Sequence, residues 1–171
     1  MQMVKRFLLI LAAFWVALLL FAPWRELYFY AEKQLTPYQI QLRDATIEEI
    51  PGGLRLLHPE LYWQGIDLAR IDRITFRTIL LVSELRGEKL SIQKAFQRFA
   101  PVTVKRFLLR YYLWSPRQIS IRLEGSFGIL EGHYDIPQRA LRLTLVKEEK
   151  INALRPYMKH RNGVWVYERR F

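Results

Sequence analysis

The 171-residue chain has room for one ordinary domain and an accessory segment, and its 51% apolar content, with five Trp, nine Tyr and ten Phe, excludes disorder as the default. Having no cysteine, it excludes a disulfide framework, a zinc knuckle and a thiol nucleophile. A formal charge of +11 calls for an anionic lipid surface or an acidic partner, and no recognition motif directs it to nucleic acid.

Lys5 and Arg6 precede an unbroken apolar run from Phe7 to Ala22. Phe7, Leu8, Leu9, Ile10, Leu11, Phe14, Trp15, Val16, Leu18, Leu19, Leu20 and Phe21 make up its apolar surface. Their transfer into hydrocarbon is favourable by roughly 3 to 7 kcal/mol. The run rises about 24 Å against a hydrocarbon core of about 30 Å, with Met3, Val4 and Trp24 to extend its edges. A signal peptide competes, but Ala22, the best small residue, has bulky Leu20 two positions before it and Pro23 after it. The expectation is a cytoplasmic tail over 1–6, oriented by Lys5 and Arg6, and an uncleaved transmembrane anchor over 7–24. The remainder, carrying +9 of the formal +11, then lies across the membrane, in a periplasm if the cell has one.

Trp24, Leu27, Tyr28, Ala31 and Leu35 share one helical face, and Thr36-Pro37 ends the segment. Residues 25–37 therefore read as a juxtamembrane helix, either lying in the interface or packed as a stalk on the domain. From Tyr38 the period changes to two, which opens a β-domain over 38–171. Pro51-Gly52-Gly53 marks a turn, with short strands expected at Leu54–Leu57, Leu61–Leu68 and Arg73–Thr78. Ile92, Ala95, Phe96, Phe99 and Ala100 follow helical spacing, so Ser91–Ala100 reads as a helix capped by Ser91, and Lys147–Leu154 as a shorter one. Val102–Trp114 suits both periods and is read as a strand from its aromatic and branched content.

Ile119, Ile121 and Leu123 alternate cleanly, as do Leu141, Leu143 and Leu145, and with Phe127–Asp135 between them they form an antiparallel meander. Val164–Tyr167 reads as a final strand. The fold class is mainly β (α+β): a transmembrane helix followed by a small twisted antiparallel domain with one or two short helices. The apolar row is a closed core or an open groove for acyl chains, and periodicity is the same for both. Arg117, Arg122, Arg139 and Arg142 lie in the same meander. They read either as a solvated outer face or as a basic surface for phosphate-bearing lipid or an acidic segment.

Nothing in the chain argues for catalysis. Glu48-Glu49 and Glu148-Glu149 are adjacent rather than convergent, and no Gly-x-Ser-x-Gly, Walker loop or dinucleotide fingerprint occurs. His58, His133 and His160 lack ligand spacing. No metal or cofactor is expected.

Leu61-Tyr62-Trp63-Gln64-Gly65 resembles the Leu-x-Trp-x-Gly element of the type II secretion protein N family, and residues 125–149 with 162–171 resemble that family's C-terminal meander. The chain is more loosely similar to AsmA-like envelope proteins. The resemblance implies a non-enzymatic, single-pass inner-membrane protein with a periplasmic β-domain, serving as an accessory or scaffold component of a secretion-like apparatus. Its partners would be the membrane and secretion or envelope-assembly proteins. The alternative is an AsmA-like or lipopolysaccharide-export-bridge-like protein that binds or transfers lipid.

Overall fold

The computed structural model describes residues 2–43, 45–93, 103–152, 154–161 and 163–171, and of residues 18–20 the backbone alone. The N-terminal apolar run forms α1 (Gln2–Phe21), as its Leu- and Ala-rich composition favours. Among the described residues, however, no helix is long and apolar enough to cross a membrane. The transmembrane anchor expected over 7–24 is therefore overturned. Lys5 and Arg6 lie within α1, and the helix ends at Phe21, with Ala22 and Pro23 between it and Trp24, leaving an apolar stretch several ångströms shorter than a hydrocarbon core of about 30 Å.

Trp24 does not extend α1. It starts α2 (Trp24–Leu35), where it is 8% exposed, and a 3-10 turn at Thr36–Tyr38 then leads into the sheet. Tyr28, one helical turn later, packs on the same core, while Leu27 points to solvent.

The rest of the described chain is one antiparallel sheet. Its strands are β1 (Ile40–Arg43), β2 (Thr46–Ile50), β3 (Gly53–Leu57), β4 (Glu60–Trp63), β5 (Ile66–Ile79) and β6 (Val82–Ile92). They continue as β7 (Val104–Tyr112), β8 (Gln118–Gly125), β9 (Gly128–Asp135), β10 (Ala140–Glu148), β11 (Lys159–Arg161) and β12 (Val164–Arg170). Their order is β1-β4-β5-β6-β7-β8-β9-β10-β12-β11, and the β2–β3 hairpin joins through β3 to β5. The expected small domain is thus a large open sheet. β5 carries both β4 and β3 on one edge, with β4 pairing its first half and β3 its second. Between them the chain bends at His58, whose φ is +52°; the His58 amide donates to Asp72 and the Ile71 amide to Pro59, closing the corner.

From β5 to β10 every strand is hydrogen-bonded to the next in sequence, and register aligns the side chains into rows. One apolar row runs Phe76, Leu85, Leu109, Ile121, Gly132 and Leu143. A second runs Ile74, Gly87, Phe107, Leu123, Leu130 and Leu145. In the second row the Phe107 ring occupies the space where a Cβ on Gly87 would stand. Two cores sit on this face. Trp24, Leu54, Leu56, Ile71 and Ile74 form one beneath α2; Phe127, Leu130, Leu143, Leu145, Ile151 and Met158 form the other beneath the segment leading to β11.

Three local expectations fail for identifiable reasons. Leu61–Leu68 is not one strand, because Gln64 (φ +54°) and Gly65 (φ +77°) turn the chain between β4 and β5. Ser91 is no helix cap: it and Ile92 pair with Arg70 and Ala69 at the end of β6. Residues 94–100 of that expected helix lie outside the described residues. Among the described residues Lys147–Leu154 is not helical, since β10 continues to Glu148 across a bulge near Val146, and the helical turn nearby is the 3-10 piece Arg155–Tyr157.

A candidate binding trough on the polar face

The alternation that points apolar side chains toward the two cores points the opposite set to the other face. Open clefts of about 270, 710 and 580 Å³ follow one another across this face. Arg86 and Glu88 line both the first and the second; Leu108, Arg110 and Arg122 line both the second and the third. They are one trough, running from β3 to β10.

Arginine dominates the trough, with glutamates between. Arg73 pairs with Glu88 at 3.2 Å and Arg122 with Glu131 at 2.6 Å. Glu84 bridges two guanidiniums, Arg86 at 2.7 Å and Arg110 at 2.8 Å. Burial works to raise the Glu84 carboxyl, but the Arg110 hydrogen bond and the charges of Arg86 and Arg110 outweigh it and hold the group below the usual carboxylate range. The same contact raises Arg110. Lys105 and Arg106 are exposed at the middle of the trough, and among the described residues neither makes an ion pair. Glu84, Glu88 and Glu131 are each held by an arginine, while Glu124, across from Arg106 on β8, makes no ion pair among the described residues; the remaining excess of cationic donors suits an anionic ligand.

The four arginines expected to form a basic face divide. Arg122 reaches the trough and Arg142 lies on the same face of β10, where Glu168 takes its guanidinium at 2.6 Å. That pairing lowers the Glu168 carboxyl and raises Arg142. Arg117 and Arg139 instead lie in the β7–β8 and β9–β10 turns. Sequence reasoning missed Arg86, Arg106 and Arg110, although Arg86-x-Glu88 and Arg106-x-Leu108-x-Arg110 alternate opposite Leu85 and Leu109. The conflicting periods over Val102–Trp114 hid that signal.

Of the candidate groove or core residues, Leu143 and Leu145 are buried, with Ile121, Leu123 and Leu141 packed against them. Ile119 is half-buried farther along the same face, opposite Tyr111 and Tyr134. The candidate anchor residues Phe7, Leu8, Leu9, Ile10, Leu11, Phe14, Trp15, Val16 and Phe21 are exposed on α1, which also carries Lys5 and Arg6. Among the described residues no group of three or more His, Asp or Glu side chains is placed to hold a metal ion. Comparison with protein-family models, with curated proteins and with solved structures finds no match.

Proposed function

We propose that this chain is a non-catalytic binding protein that holds an extended acidic protein segment along the arginine-lined trough, as a scaffold component of an envelope assembly of the type II secretion kind. The observation that carries this reading is the continuity of the trough, with Lys105 and Arg106 free at its centre. Five inter-strand steps between β5 and β10 span about 24 Å, room for roughly seven residues of extended peptide. An acidic strand laid there gains charge-assisted hydrogen bonds, and the interspersed glutamates set its register by repelling misplaced carboxylates.

Fluorescence anisotropy of a labelled oligoglutamate peptide against the full chain tests the reading. Arg106→Glu weakens binding by at least about tenfold, since it turns an attraction at contact distance into a repulsion. Arg43→Glu, on β1 outside the trough, leaves affinity within about twofold, because its charge acts across more than a screening length. Equal losses in both variants would mean diffuse attraction to a basic protein and would sink the proposal.

A second reading, a lipid-binding or lipid-transfer protein, draws on the apolar face. There Phe107, Leu109, Tyr111 and Ile119 form a half-buried strip that belongs to neither core. Native mass spectrometry of the full chain purified from membranes separates the two. Stoichiometric phospholipid or glycolipid favours this second reading, and a lipid-free mass favours the peptide trough.

A further inference from the structure

Consecutive pairing from β5 to β10 brings alternate turns to one end of the sheet, and that end is apolar. The β5–β6 turn holds Leu80 and Leu81, the β7–β8 turn Leu113 and Trp114, and the β9–β10 turn Ile136, all exposed. Phe171 joins them after β12. Backbone hydrogen bonds lace these pieces together: the Leu113 amide donates to Leu81, the Ile136 amide to Arg117 and the Phe171 amide to Arg139, at 2.8 to 3.0 Å. Trp15 Nε1 donates to the Leu80 carbonyl at 3.4 Å, which ties the exposed apolar surface of α1 to the same rim. The opposite end differs. Its β8–β9 turn tucks Phe127 into the core at 3% exposure, whereas Leu80 is 57% and Trp114 65% exposed.

The rim also carries strain and charge. Leu80 has a φ of +52°, a conformation where a hairpin turn ordinarily places Asn or Gly. A strained leucine more than half exposed in a two-residue turn gains little from packing inside the fold. The three turns contain Arg117 and Arg139 and no acidic residue, and Arg169 and Arg170 adjoin Phe171. Of the acids nearest them, Glu168 pairs with Arg142 and Arg161, and Asp135 accepts from the Gln138 amide.

We infer that this rim is a docking edge for an anionic phospholipid surface, with the apolar tips and the Trp114 indole entering the head-group region and Arg117 and Arg139 meeting lipid phosphates. Apolar tips flanked by Arg117, Arg139, Arg169 and Arg170 complement such a surface on both counts. A protein partner or a second copy of this chain would need acids or an apolar groove opposite the same edge, and either is an outcome of the test. The trough lies on the polar face, not on this edge, so the inference stands apart from the peptide-binding proposal.

The chain lacks cysteine, so a single introduced thiol reports one position. Leu113→Cys and Ile136→Cys on the rim and Asn152→Cys beyond the far end of β10 each receive a polarity-sensitive fluorophore in the otherwise intact chain. With vesicles of mixed phosphatidylcholine and phosphatidylglycerol, the two rim labels shift to the blue and the Asn152 label does not. Arg117→Gln and Arg139→Gln each weaken vesicle affinity roughly fivefold, and Leu80→Glu abolishes the rim shift. Equal shifts at all three positions would mean contact with no preference for the rim and overturn the inference, as would rim shifts that depend on protein concentration without vesicles. No shift at the rim would also overturn it.

Discussion

Leu80 shows how much one side chain is asked to tolerate. Its left-handed backbone costs a residue with a Cβ about 1–2 kcal/mol, and the residue stays 57% exposed. Leu80→Asn keeps the carbonyl that Trp15 uses and relieves the strain, so unfolding in denaturant moves to higher concentration by the equivalent of about 1 kcal/mol. Glu84 makes a residue-scale argument about pH. Its carboxyl titrates below the ordinary value of 4.5, so its contribution to stability is complete above that value and is lost as pH falls through the depressed one. Glu84→Gln removes this contribution and leaves Arg86 and Arg110 without their carboxylate. Its stability deficit is therefore largest near neutrality and shrinks in acid, which urea denaturation at pH about 7 and about 3 resolves. A deficit unchanged between the two would show that the carboxyl's charge contributes nothing.

Among elements, α2 matters most to the first core. Trp24 is buried among Leu54, Leu56, Ile71 and Ile74, with the Phe76 ring centroid 5.9 Å away. Trp24→Ala should cost about 3–5 kcal/mol, while Leu27→Ala, on the exposed side of the same helix, stays within about 0.5 kcal/mol. Denaturation midpoints for the pair distinguish a clamping helix from a passive linker. The helical spacing was readable, but it assigned Trp24 and Leu27 to one face without showing which residue meets the sheet. The β8–β9–β10 meander was the most legible part, because strict alternation at Ile119–Leu123 and Leu141–Leu145 leaves little choice of register. Ser91 and Ile92 went the other way. Helical spacing over a few residues is weaker than the β-bridges that β5 offers to this stretch.

At the scale of the molecule, an open sheet has to protect its outer strands, which here are β1 and β11 at the ends of the path and β2 at the end of the branch through β3. β11 is three residues long, Lys159-His160-Arg161, all exposed, and β1 is four residues long and ends in Arg43. Short, charged edges deter strand addition from a second chain. Lys159→Val with Arg161→Val should therefore lower the concentration at which the protein self-associates, which light scattering measures; an unchanged threshold would mean that brevity alone protects the edge. The trough and the rim belong to this scale too. Arg122 was legible because its own strand reads unambiguously, but Arg86, Arg106 and Arg110 become its neighbours only through pairing across β6, β7 and β8. The rim is farther from sequence reasoning still, for it gathers Leu80, Trp114, Ile136 and Phe171 from separate turns.

By itself the sequence determined the predominance of strands, the apolar and polar sides of the meander, and the helical start, all consequences of local period and composition. It could not decide how far α1 carries its apolar surface before the chain turns, because that depends on where the helix stops and where Trp24 packs. Nor could it decide that the clefts of the polar face follow one another across the sheet or that alternate turns form one apolar edge. Twist, curvature and turn position follow from pairing between distant strands, and such pairing leaves no mark on the period of any single strand.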